Sequence, residues 1–341
     1  SGAKAINANN SKVDITAVNA TLNGDVSTNK AVSIKAAKAA KVNGAVSASG
    51  ADSSVSISGE AASITGAVSA DGANAAVTID SADTTIGSDI TANGKGAKVT
   101  AKSLSKLDGD VTTDADGSVE LTFKEGAVWT GNNAGNTTMS LSKGNWNGAN
   151  NGKLNAALTN GTIWTGDSSG AGSTIKLDAS TWNGTNSGAN ADINLTDSSW
   201  TGDNSGAGVA ITADNSKWIG NANAAGSAVL TNGSVWTGAS TSGDFSLTLN
   251  NSTWNNSGAS SLKSFTGTNG VVDMTNAAAS VTIGSYSGDA TVIYKHNSSN
   301  PSEVYGGNFT VDKAAANSKI TMLTDNTGVD TTDEDKINEA L

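Results

Sequence analysis

The eight tryptophans of the chain, Trp129, Trp146, Trp164, Trp182, Trp200, Trp218, Trp236 and Trp254, stand at intervals of 17 and then six times 18 residues. Self-similarity at so short a period marks an array of small units, none of which can bury its own apolar face without stacking on its neighbours. Every tryptophan of the 341 residues belongs to this series. Length alone suggests two or three globular domains, but a repeat overrides that prior.

The register extends backwards with aliphatic residues in place of tryptophan. Leu107, Ile86, Ile64, Val42 and Leu22 stand in it at intervals of 22, 21, 22, 22 and 20 residues, mostly two positions before a glycine. A second apolar pair follows in most coils, as in Val55 and Ile57, Val77 and Ile79, Ile175 and Leu177, Ile193 and Leu195, or Leu247 and Leu249. Both patterns have the alternation of short strands with one buried face. Asn, Gly, Asp and Ser clusters between them supply turns. Stacked at about 4.8 Å per rung, such coils make a parallel β-solenoid, and thirteen of them predict a rod on the order of 60 Å. The period drifts and no sustained six-residue pattern occurs, which favours a right-handed β-helix over a left-handed hexapeptide helix. The period divides the chain into coils of 20 to 22 residues over 1–125, Trp-x-Gly coils of 17 to 18 residues over 126–260, and weaker coils with a linker over 261–341.

Trp-x-Gly itself has two readings, an exposed aromatic platform for sugars or bases and an internal stack. The residue two before each tryptophan is small (Ala127, Gly144, Thr162, Ser180, Ser198, Ser216, Ser234, Ser252), and the residue immediately before includes Asn145 and Lys217. Strand alternation then points the indole, its small neighbour and the following glycine inward, the small groups making room for the ring. Four residues after the register position the early coils hold Val26, Val46, Val68, Ile90 and Val111, whereas the tryptophan coils hold polar turns. One indole thus replaces two aliphatic side chains in a shorter coil.

Composition narrows the function. Without cysteine there is no disulfide and no thiolate metal site. All 20 basic residues are lysine, and 31 acidic residues leave a net charge of −11. That balance repels phosphate backbones and lacks the planar guanidinium reader, so no nucleic acid is expected as a partner. It also opposes pairing of like copies, so salt is expected to strengthen any self-association.

Candidate chemistry is sparse. Gly166-Asp-Ser-Ser-Gly-Ala-Gly172 superficially suits a nucleophilic serine, but the only histidine, His296, lies far away in the repeat. With no Arg and with acids scattered one or two per coil, the residue sets of polysaccharide lyases and hydrolases are not assembled. Asp114-Ala-Asp116-Gly117 lacks the distal glutamate of a calcium loop, and the acid run Asp330 to Asp335 reads as solvated carboxylates. No catalytic residue, metal ligand or cofactor is expected, and the eight tryptophans are the singled-out residues, as a structural core stack.

The segments Leu177-Asp-Ala-Ser-Thr-Trp182-Asn-Gly184, Leu195-Thr-Asp-Ser-Ser-Trp200-Thr-Gly202 and Leu249-Asn-Asn-Ser-Thr-Trp254 resemble the degenerate repeats of Gram-negative (type V) autotransporter passenger domains, of the pertactin-like and AIDA-like group. The resemblance covers most of the chain from about residue 120 onward; residues 1–119 match only as generic Gly-, Ala- and Val-rich coils. It implies a right-handed β-helical passenger at the bacterial cell surface, joined to the outer membrane only through a C-terminal β-barrel outside these residues. Thr331-Thr-Asp-Glu334 fits a capping box, so a short helix is expected to start there, with Ile337 and Leu341 on one face. The function expected is that of an adhesin or self-association module, acting through Asn, Ser, Thr and Asp ladders on one face. Its partner is then a host-cell or bacterial-surface receptor, or a second copy. A stalk for a domain outside this fragment and glycan binding through exposed tryptophan are the alternatives.

Overall fold

A computed structural model describes residues 4–296, 304–305 and 307–325. It is an all-β, right-handed parallel β-helix of about 14 turns, with no helix among the described residues. The expected helix start at Thr331 lies outside the described residues, as does the acid run Asp330 to Asp335. The chain forms two compact units, Ser1–Asn183 and Gly184–Leu341. Their boundary falls inside the tryptophan series rather than at a change of period.

In the first unit three columns of inward side chains run from coil to coil. The register column pairs Leu22 with Val42, Val42 with Ile64, Ile64 with Ile86, Ile86 with Leu107 and Leu107 with Trp129, all in parallel. Trp129, Trp146, Trp164 and Trp182 continue it one above the next. A second column stacks Val32, Val55, Val77, Val99 and Val119, and then Thr137 and Leu154. The third is a six-stranded sheet of short strands, Lys4–Ala8, Asp25–Thr28, Val46–Ser49, Val68–Asp71, Ile90–Asn93 and Val111–Thr113. It carries Val26, Val46, Val68, Ile90 and Val111, none of which has accessible surface.

That third sheet explains the change of period. After Val111–Thr113 it continues only as single-residue bridges, Val111 to Asn133, Asn133 to Asn150 and Asn150 to Ser168. The coil loses a strand of three or four residues and keeps one pairing residue in its place. The polar residues expected here as turns instead point their side chains into the core: Asn133, Asn150 and Ser168 are fully buried.

In the second unit Trp200, Trp218, Trp236 and Trp254 stack in register above Val272, and Val272 pairs with Val292. A parallel column carries Ile193, Ile211, Ala228, Leu247, Phe265 and Tyr286. The single-residue bridges recur as Asn186 to Asn204, Asn204 to Ala222 and Ala222 to Ser240. Corners before the tryptophan strands need left-handed backbone, and Asp197, Asn215, Asn232 and Asn251 take φ between 47° and 55° there. Asn and Asp tolerate that region best after glycine.

Candidate functional site

All eight tryptophans are buried, with at most 1% of their surface accessible. Trp129, Trp146, Trp164 and Trp182 stack at centroid separations of 4.5 Å, with planes within 7° of parallel. Trp200, Trp218, Trp236 and Trp254 do so at 4.8 to 5.0 Å. No ring offers a face to solvent, so the glycan platform through exposed tryptophan is excluded.

The glycine of Trp-x-Gly has a more specific task than making room. Each indole Nε1–H donates to the carbonyl oxygen of the glycine one coil earlier: Trp146 to Gly131, Trp164 to Gly148, Trp182 to Gly166, Trp200 to Gly184, Trp218 to Gly202, Trp236 to Gly220 and Trp254 to Gly238, at 2.8 to 2.9 Å. Trp129 opens the ladder on Gly109 at 3.0 Å. A buried indole N–H without a partner is costly, and here each is satisfied by backbone. The glycines themselves stack so closely that a Cβ on Gly148, Gly166, Gly202, Gly220 or Gly238 would stand 1.9 to 2.0 Å from the carbonyl oxygen of the glycine beneath it.

Four residues after most of the tryptophans, at Asn133, Asn150, Ser168, Asn186, Asn204 and Ser240, buried polar side chains form a second internal ladder, which Ala222 interrupts. Asn133 Nδ2 donates to Asn150 Oδ1 at 2.8 Å, and Asn150 Nδ2 to Ser168 Oγ at 3.0 Å. Asn186 Nδ2 donates to Asn204 Oδ1 at 2.8 Å in the second unit. Asn133 Oδ1 also accepts from Gly135 N and Thr137 Oγ1, so this amide is bonded at both ends. The signal was present in the sequence as Asn-x-Gly recurring at fixed register, in Asn133-x-Gly135, Asn150-x-Gly152, Asn186-x-Gly188 and Asn204-x-Gly206.

Outside, polar side chains also bond from coil to coil. Asn43 donates to Asn23 at 2.7 Å, Asn74 to Asp52 at 3.0 Å, Asn215 to Asp197 at 2.6 Å, Asn232 to Asp214 at 2.6 Å and Asn269 to Asn251 at 3.1 Å. Asp and Asn side chains further receive the backbone N–H of the next coil, as Asp89 does from Asp110, Asp110 from Asn132 and Asp203 from Asn221.

The residues weighed for catalysis are not brought together among the described residues. Ser168 is fully buried in the amide ladder, and the side chain of His296 lies outside the described residues. Asp114 receives the backbone N–H groups of Gly94, Asp116 and Gly117, and these bonds, Gly94's first, hold its carboxyl below the ordinary value. Asp83 is likewise lowered, by the Ser105 hydroxyl first and by Lys124 next. No three His, Cys, Asp or Glu side chains among the described residues are placed to hold a metal ion. The shallow grooves among the described residues include one of about 370 Å³ beside Asp114, Asn136 and Lys153 and one of about 340 Å³ beside Thr266, Ser287 and Lys313. Neither gathers an acid, a base and a nucleophile. No family model, curated protein or solved structure matches this chain.

Proposed function

We propose that this chain is a non-catalytic passenger displayed at the bacterial cell surface, working as an adhesin or self-association module through its outward polar side chains. The observation that carries this reading is the coil-to-coil repetition of Asn, Asp, Ser and Thr on the exterior, already bonded to one another and so held in place, as Asp197 with Asn215 and Asp214 with Asn232. Each such group contributes a weak hydrogen bond to a partner. A column of them binds through number, and the ordering cost has been met in folding. Most of the large apolar side chains stay inward, so contacts through this exterior are mainly polar and reversible.

The test is to coat beads with the purified chain at physiological salt and score clumping and capture of bacterial or epithelial cells, with sedimentation of the free chain over a concentration series alongside. Clumping with a concentration-dependent increase in mass supports self-association; capture of cells by a monomeric chain supports adhesion. A chain monomeric at every concentration, on beads that neither clump nor bind cells, removes the proposal.

A further inference from the structure

The negative charge is unevenly spread. Residues 1–50 hold six lysines against two aspartates, a net +4, whereas residues 184–341 hold 15 acidic residues against six lysines, a net −9. Among the described residues, the five lysine–carboxylate pairs, Lys98–Glu120, Lys102–Asp80, Lys106–Asp108, Lys124–Asp83 and Lys143–Glu125, all lie between residues 80 and 143. Lys35, Lys38 and Lys41 are exposed on the strand Ala31–Asn43 and take part in none of them.

The backbone gathers these three around a corner. Pairing runs Ala17 to Ala36 and then Asn19 to Ala39, so the single residue Val18 faces the two residues Ala37 and Lys38 across a bulge. Bulges re-aim side chains, and this one turns Val18 outward at 61% exposure, the most exposed large apolar side chain among the described residues. An exposed apolar group opposite a strand that carries three exposed lysines outside every ion pair has the composition of a docking surface rather than of a solvated turn.

The complementary surface is on the chain itself. The strands Asp192–Thr196, Ser199–Thr201 and Val209–Asp214 of the second unit contain no lysine, and with their connecting turns they carry Asp192, Asp197, Asp203 and Asp214. Asp192 and Asp197 are exposed, and neither they nor the other two form an ion pair among the described residues. We infer that the Val18–Lys35–Lys38–Lys41 corner of one copy docks on the Asp192–Asp197–Asp214 face of a second copy. This rests on the self-association reading and specifies its contact. The two patches differ, so the contact is heterologous and leaves each copy with one free donor and one free acceptor patch; it propagates into chains of copies.

The salt dependence then takes the opposite sign to that expected from net charge. At 0.1 M salt the Debye length is about 10 Å, so charges at the contact count and the distant excess of negative charge does not. Association weakens as salt rises further, about tenfold in Kd between 0.1 and 0.5 M.

Sedimentation of the full chain across that range provides the test, with Lys35→Glu/Lys38→Glu/Lys41→Glu as one variant and Asp192→Lys/Asp197→Lys as another. Each alone is expected to stay monomeric at 0.1 M salt and folded by far-ultraviolet circular dichroism, the second with a lowered melting temperature because residue 197 takes φ 49° and Asp197 accepts from Asn215. An equimolar mixture of the two is expected to form heterodimers, the intact lysine corner of one meeting the intact acidic face of the other. Lys95→Glu/Lys153→Glu/Lys263→Glu makes the same change in net charge at exposed positions away from both patches and is expected to associate with undiminished affinity, provided the contact is local. Association that strengthens with salt, or survives in the corner variant, overturns this contact while keeping self-association. A wild-type chain monomeric at every salt removes the contact and the self-association reading together. A wild-type monomer retained on heparin, with retention lost in the corner variant, assigns the corner to an external polyanion and equally overturns the proposal.

Discussion

Gly202 shows how much one residue carries in this fold. Its carbonyl accepts the Trp218 indole at 2.9 Å, and a Cβ on it would lie 1.9 Å from the Gly184 oxygen, itself the acceptor for Trp200. Gly202→Ala must push two backbone segments apart and disturb both indole bonds, an overpacking expected to cost about 3 kcal/mol. Gly233 has φ +82°, and a Cβ added there would meet nothing within 4 Å, so Gly233→Ala bears only the left-handed backbone penalty, about 1–2 kcal/mol. Denaturant midpoints of the two variants check this order, and equal losses would mean that the glycine carbonyl stack is not tight. The tryptophan column was legible because large apolar residues at fixed spacing are a one-dimensional signal. The acceptor was not, since it is a backbone oxygen one coil away and glycine betrays only that space is short.

Among the elements, the single-residue bridges are where reading and structure part. Asn150 and Asn204 look like turn residues, because Asn between glycines ordinarily is one. They are buried because a coil shortened to 17 or 18 residues still has three sides, and the third side, too short for an apolar strand, is closed by amides that bond to a neighbouring coil, Asn150 on both sides and Asn204 on one. Asn204→Ala leaves the Asn186 amide without its Oδ1 acceptor and is expected to cost about 1–3 kcal/mol. The double change Asn186→Ala/Asn204→Ala should cost less than the two single changes summed, since a column with neither partner strands no polar group. Ala222, fully buried in that column, is the natural precedent. A double-mutant cycle by chemical denaturation measures the coupling, and strict additivity would show that the amides do not act as a ladder. The exterior of the first unit makes a pH-dependent contribution of definite sign. Asp83 accepts from Ser105 Oγ and from Lys124 Nζ at 3.0 Å, which holds its carboxyl below 3.8 in the folded chain. The stability so gained is full above that value and is lost as pH falls through the depressed one. The stability gap between wild type and Asp83→Asn should therefore be constant near neutrality and shrink below pH 3.8. A gap that widened on acidification would contradict the assigned cause.

For the whole molecule, the arrangement is one repeat written twice in different residues: aliphatic pairs in long coils, then one indole with one amide in short ones. Periodicity makes the β-helix readable, but it says nothing of where the compact units divide, because the coils on either side of 183 and 184 obey the same pattern. The optical behaviour of the chain follows from the columns. Four indoles in each unit lie parallel at 4.5 to 5.0 Å with no more than 1% of their surface open. Chromophores so close and so alike in orientation couple electronically, so a strong exciton couplet in the indole region of the circular dichroism spectrum is expected, together with blue-shifted fluorescence that iodide and acrylamide barely quench. In a solenoid each coil is held mainly by its two neighbours. Removing one ring from within the second unit, as in Trp218→Ala, should therefore lower the couplet by more than a one-eighth share, because both adjacent pairs are broken, while emission from the remaining rings stays blue. Red-shifted, fully quenchable emission would place the indoles in solvent and restore the exposed platform; a couplet that fell only in proportion to the ring removed would show that they are buried without being stacked.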